Sequence, residues 1–221
     1  MARSRLIETF AETVALTVGA LAPIMNPFST APLFASLTAG MERKKRNRQA
    51  LLSCVYAFAI LAVFLLLGSA VIDFFGISVP GVRVAGGLII STIGFRMLFP
   101  QPQPGTDPGA PVPQDVDIAF SPIAMPSLAG PGSISVVLTA AGYIRSIHPT
   151  DWRLIYLAVI VGMAATLVFS YLVLRAAGAM VRFLGPAGLD ATTRIFGFLL
   201  ICVGMQFLLA GISDFYGLQA G

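Results

Sequence analysis

Ionisable and reactive side chains are scarce in this chain. Only 11% of its 221 residues are Asp, Glu, Lys or Arg, with one histidine and two cysteines. A soluble domain carries roughly twice that charged fraction. His148 lies beside Pro149 in a predicted loop and lacks the partners for a metal site or a catalytic triad. Cys54 and Cys202 both fall inside apolar runs, which argues against a disulfide framework, and no metal-type ligand spacing exists. There is no G-x-S-x-G elbow, P-loop or H-E-x-x-H motif. Nor is there a paired-Asp set, a Ser with a buried His, or a zinc-ligand set for intramembrane proteolysis. The expectation is a protein that is not an enzyme and carries no cofactor and no metal.

What the chain does have is apolar length. It is 57% hydrophobic, with a mean hydropathy of +0.86. So much apolar surface cannot be hidden from water at this size, so the solvent must be lipid. A spanning helix needs about 20 predominantly apolar residues. Six segments qualify: Thr13–Leu37, Leu51–Ile72, Val79–Phe99, Ile118–Ile144, Leu154–Leu174 and Ile195–Ile212. The fold class expected is therefore all-α and polytopic, with little chain left outside the bilayer.

The net charge is +4. Its placement points to topology rather than to nucleic acid. Arg43, Lys44, Lys45, Arg46 and Arg48 crowd one short loop after the first span. Alternating the loops puts these with Arg96, Arg175, Arg182 and Arg194 on one side. Arg3, Arg5, Arg83, Arg145 and Arg153 fall on the other. The richer side should be cytoplasmic, leaving both termini periplasmic. Arg3 and Arg5 precede an apolar stretch as in a signal peptide, but that stretch is too long and holds Asn26-Pro27 midway.

Two proline triplets stand out within the spans. Pro23, Pro27 and Pro32 are spaced four and five apart, and so are Pro122, Pro126 and Pro131 in the other half. A proline inside a helix cannot donate to the carbonyl four residues back. Pro27 should free the carbonyl of Pro23, Pro32 that of Phe28, Pro126 that of Pro122, and Pro131 that of Ser127. In hydrocarbon each freed group needs protein, water or ligand as a partner. Asn26, Ser29 and Thr30 accompany the first triplet; Ser127, Gly130, Gly132, Ser133 and Ser135 accompany the second. Half-helix N-termini carry unpaired N–H groups and partial positive charge, which suit a carboxylate. Glycines at 130 and 132 would let a substrate approach the backbone. The substrate-site residues expected are thus Asn26, Pro27, Ser29, Thr30, Ser127, Gly130, Gly132 and Ser133. The competing explanation is that kinks and small residues serve helix packing alone.

Three spans per half is an odd number, so the second half enters the membrane from the opposite side. Residues 1–99 and 118–221 then form an inverted repeat, a design of many secondary transporters, with helices 1 and 4 broken. Arg83-Val84-Ala85-Gly86 opens span three and Arg194-Ile195-Phe196-Gly197 opens span six, an echo consistent with the repeat. Residues 100–117, rich in proline and glycine, read as a cytoplasmic linker. No Asp, Glu, Lys or Arg falls near the middle of a span, since Glu12, Asp73 and Asp214 lie near ends. A buried-carboxylate proton relay is not expected. Any coupling ion, sodium or proton, would rest on carbonyls, hydroxyls and Asn26. A charged substrate would lack a counter-charge, so a small neutral or zwitterionic solute fits best. Gly86-Gly87 with Gly94 suit close helix packing within or between protomers, so a homo-oligomer stays open.

At Pro23-Ile24-Met25-Asn26-Pro27 with Ala31-Pro32-Leu33-Phe34, and at Met125-Pro126 with Ala129-Gly130-Pro131-Gly132, the chain resembles the MarC family of bacterial inner-membrane proteins. The Arg-x-x-Gly openings at Arg83 and Arg194 fit too. The resemblance spans nearly the whole chain. It departs at Phe28-Ser29, where such proteins often have a small apolar residue and glycine, and this pair predicts a narrower first break. The resemblance implies six spans in the cytoplasmic membrane. It also implies kinship with transporters of neutral amino acids such as glycine and alanine. A channel or exporter for other small solutes, or a membrane partner that transports nothing, are the alternative readings.

Overall fold

The computed structural model describes residues 2–99, 117–147 and 152–218. Most of the predicted 100–117 linker, and His148, lie outside the described residues. The described residues are helical, without strands. The helices are α1 (Ala2–Met25), α2 (Pro27–Leu37), α3 (Arg43–Phe75), α4 (Val79–Leu98) and α5 (Pro131–Ile147). A last helical stretch breaks at Gly185 into α6 (Trp152–Gly185) and α7 (Ala187–Tyr216). Five of these helices are long and apolar enough to cross a membrane. The pair Ala119–Leu128 and Pro131–Ile144, bent by 61°, makes a sixth.

Three expectations are corrected. The first span is not one segment Thr13–Leu37: its apolar spanning helix is Ile7–Met25, and Pro27–Leu37 is a separate short helix. Pro23 lies inside α1 and Pro32 inside α2, rather than at breaks. Arg175, Arg182 and Arg194 are not in a loop but on helices α6 and α7. Only Gly185 interrupts that stretch, at φ 65°, ψ 178°, a conformation open to glycine alone.

Large apolar side chains cover the outside. Phe74, Leu88, Leu157, Phe183 and Leu209 are all exposed. Buried polar residues are instead found within. Ser53, Thr166 and Ser170 return their hydroxyls to carbonyls four residues back, at 2.8 to 2.9 Å. That satisfies the groups without a second helix, as hydrocarbon requires. The core between helices is built from Leu21, Met25, Phe34, Leu61, Ile90, Ile123, Leu128, Met163 and Leu200.

Glycine permits the tightest crossing. A Cβ built on Gly87 would come within 2.6 Å of Gly204 O, and one on Gly94 within 2.6 Å of Gly197 O. One on Gly211 would lie 2.8 Å from Val84 Cγ2. Positions rise along α4 as they fall along α7, so the two helices run antiparallel with backbones in contact. No side chain larger than hydrogen fits that seam. The glycines predicted to pack helices therefore do so within one protomer at positions 87 and 94.

The candidate substrate cavity

The first break is a single residue. Asn26 is the only non-glycine residue with positive φ among the described residues (φ 36°, ψ 67°). Asparagine tolerates this left-handed conformation better than most side chains. Its N–H still bonds to Ala22 O at 3.2 Å, closing α1, while its own carbonyl accepts from Ser29 N at 3.2 Å and Thr30 N at 3.3 Å, opening α2. Its Oδ1 accepts from Ser29 N at 3.3 Å, a side-chain N-cap. Pro27 takes the first helical position, where a missing N–H costs nothing.

The second break is longer. From Ala119 to Leu128 the chain winds in wide turns closed five residues back, with Ile123 N to Ile118 O at 3.4 Å and Ala129 N to Ala124 O at 2.8 Å. Ser121 (φ −127°, ψ 128°) and Met125 (φ −126°, ψ 125°) are extended, as residues before a proline tend to be. The carbonyl of Pro122, which helical geometry would leave without a donor, accepts from Ser127 Oγ at 2.9 Å. Ser133 Oγ donates to Leu128 O at 2.9 Å. Pro131 starts α5, and Ile134 N bonds to Gly130 O at 3.0 Å.

These two breaks meet. One cavity of about 650 Å³ is lined by Asn26, Ser29 and Thr30 from the first and by Pro126, Ser127, Gly130, Pro131, Gly132 and Ser133 from the second. Helices α2 and α5 both begin at its wall. First-turn N–H groups of a helix have no acceptor within it. Among the expected site residues, only Pro27 is absent from the lining; Pro23, Pro32 and Pro122 are absent too. Asn26 is buried at 3% exposure. Its amide nitrogen has one partner among the described residues, the thioether of Met97 at 3.8 Å, a weak acceptor. The carboxamide therefore keeps donor capacity at the wall.

Two glycines have a steric task. A Cβ on Gly130 would stand 2.3 Å from Pro126 O, and one on Gly132 would meet Ile90 and Ile24 at 3.0 and 3.1 Å. Gly130 is thus required by its own backbone, apart from any ligand.

Arg96 is what sequence reasoning missed. It stands exposed in the last turn of α4 and lines the cavity beside Thr92 and Met97. The expectation that a charged group would find no counter-charge is corrected by it. The available signal was an arginine within the apolar run Val79–Phe99, which counting it as a topology marker set aside. Phe28 does not narrow the break. Its ring stacks on Phe196 at 5.1 Å and meets Phe169 edge-on at 5.8 Å, and it is absent from the lining.

A second cavity of about 580 Å³ adjoins the other end of α4. Arg83 there pairs with Asp214 at 2.6 Å, and Tyr143 donates to the same carboxylate. The Arg83 guanidinium lies 5.0 Å from the Tyr143 ring centre. Arg194, its counterpart in the echoed opening, instead pairs with Asp190 one turn back at 2.9 Å. Arg83 and Arg96 are about 20 Å apart along the helix at 1.5 Å per residue.

The chain matches the MarC family of integral membrane proteins over residues 11–216. It belongs to that family. Proteins named inner membrane protein MarC, from Escherichia coli K12 and from Shigella flexneri, are 40% identical to it over 211 residues. The match covers 92% of this chain and 95% of each of theirs. No solved structure matches it. The chain is accordingly an integral membrane protein.

Proposed function

We propose that this MarC-family protein is a secondary transporter of small neutral amino acids, of the glycine and alanine class, in the bacterial inner membrane. The observation that carries this reading is the meeting of both helix breaks at one cavity. The N-terminus of α5, the donor side of Asn26 and the Arg96 guanidinium share its wall. Together they offer a carboxylate hydrogen-bond donors and positive charge in a site otherwise lined by Ile24, Leu88, Ile89 and Leu200. The apolar remainder suits a small side chain.

The second cavity supports alternating access. It opens at the other end of α4, and buried Gly86 and Gly87 lie between the α4 residues lining the two. In this reading residues 1–99 and 118–221 are inverted halves that rock against each other. Antiparallel α4 and α7, the third span of each half, form the seam between them. In the same reading, the Arg43–Arg48 end, with its excess of positive residues, is cytoplasmic and both termini are periplasmic.

A packing role has its own support. Ser127 and Ser133 spend their protons on local carbonyls, and Gly130 is needed by Pro126. The two readings separate in proteoliposomes loaded with labelled alanine or glycine under imposed proton or sodium gradients. The transporter reading expects saturable flux, lost in Arg96→Gln and Asn26→Ala variants that remain folded. Folded wild type that moves neither solute in either direction would overturn it in favour of a channel, an exporter of other solutes, or a non-transporting partner.

A further inference from the structure

Another cavity lies away from both breaks and holds four arginines. Arg43 and Arg46 come from the start of α3, and Arg175 and Arg182 from the end of α6; together with Asn47 they line about 730 Å³. No carboxylate among the described residues pairs with any of the four, whose sole recorded polar bond on these side chains is Arg182 Nε to Gly178 O at 3.2 Å. Four like charges around one space favour an anion between them. Two further atoms are unsatisfied there. Arg46 Nε and Asn47 Oδ1 are sealed from solvent without any hydrogen-bond partner, an arrangement that costs free energy until a partner arrives.

A neighbouring groove identifies the anion. About 480 Å³ lined by Phe28, Phe169, Met180, Phe183 and Leu184 is almost wholly apolar. It shares Leu172, Ala176 and Ala179 with the arginine cavity. These three residues, at intervals of four and three, form one face of α6. A charged chamber thus runs directly into a greasy channel. A free inorganic anion would use the chamber and leave the channel empty. A molecule with a phosphate at one end and an acyl chain at the other uses both.

We propose that this composite site binds an anionic phospholipid. The phosphodiester sits among Arg43, Arg46, Arg175 and Arg182, with one acyl chain along Phe169 and Phe183. Phosphate oxygens accept from the guanidiniums, including the stranded Arg46 Nε, and a headgroup hydroxyl donates to Asn47 Oδ1. Basic pockets between spanning helices are where such headgroups dock. The site binds α3 to α6 and does not depend on what the central cavity carries.

The test is thermal unfolding and native mass spectrometry of the full chain in neutral detergent. Phosphatidylglycerol, phosphatidylcholine and sodium phosphate are titrated separately. Saturable retention of phosphatidylglycerol with a raised unfolding temperature, and little effect of phosphatidylcholine, is expected. Arg46→Gln and Arg175→Gln should each weaken that binding by about fivefold. Ala176→Phe, on the exposed face where chamber and groove join, should weaken it while leaving the fold intact. Equal stabilisation by inorganic phosphate would overturn the lipid assignment in favour of a dissolved anion. Equal binding of phosphatidylcholine, no binding at all, or indifference to both arginine variants would overturn the site.

Discussion

The two helix breaks share a proline spacing and differ in almost everything else. The first is closed within one residue by Asn26, which ends α1 with its N–H and caps α2 with its carbonyl and carboxamide. The second takes ten residues of wide turns and recruits a serine hydroxyl to satisfy Pro122 O. The helix-starting prolines do not correspond either: Pro27 is second in its triplet and Pro131 third. The residue before the proline accounts for this. Asn26 can enter the left-handed region, so the chain turns at once and restarts. Ser121 and Met125 take the extended conformation usual before proline, and the chain around them winds in wide turns instead of restarting at once. Equal spacing of a helix-breaker therefore sets where a span is interrupted, while its neighbour decides how.

That contrast can be broken at several points. The largest effect is expected from Gly130→Leu, because the first added carbon already lies 2.3 Å from Pro126 O. We expect a loss of about 3 kcal/mol or more, or failure to fold, read as the unfolding temperature in detergent. Wild-type stability would mean that the second break is plastic. Next comes Asn26→Ala, which removes the cap and places alanine at positive φ. The two costs combine to about 2 kcal/mol. Asn26→Gly keeps the backbone freedom and loses only the side-chain acceptor, so it should recover most of that stability. If glycine were as damaging as alanine, the cap and not the left-handed turn would dominate. Smallest is Met125→Ala. Its extended backbone suits any residue and its side chain is partly exposed, so a change within about 0.5 kcal/mol is expected by the same measurement. An Arg96→Gln change should leave stability equally unmoved while abolishing flux, which separates the cavity's chemistry from its framework.

The spans were legible in the sequence because lipid demands uninterrupted apolar length, and that is a local property. Asn26, Ser29, Ser127 and Gly130 were legible as a group because polar and small residues beside prolines are costly in hydrocarbon without a partner. Their convergence on one cavity was not, since it depends on how α2, packed against the helical stretch from Trp152, and α5, packed against α3 and α4, are brought together. Arg96 was hidden for the same reason: its sequence context gives its depth in the span, not its direction. The helical run through Arg175 and Arg182 was misread as a loop because charges usually mark a boundary. Here only Gly185 interrupts the helix. Asp214 was placed correctly at a span end, but its pairing with Arg83 joins residues 131 positions apart.

The seam between α4 and α7 has a bearing on how this protein can vary. Glycine is the smallest residue, so every coding change at Gly87, Gly94, Gly197 or Gly204 adds atoms where carbonyls and amides already stand within 3 Å of the first one. Lipid-facing leucines and phenylalanines can be exchanged for one another with little penalty. The seam has no harmless neighbours in sequence space. A random mutagenesis screen scored by loss of activity would therefore concentrate its hits along this line, although none of the four glycines lines the central cavity.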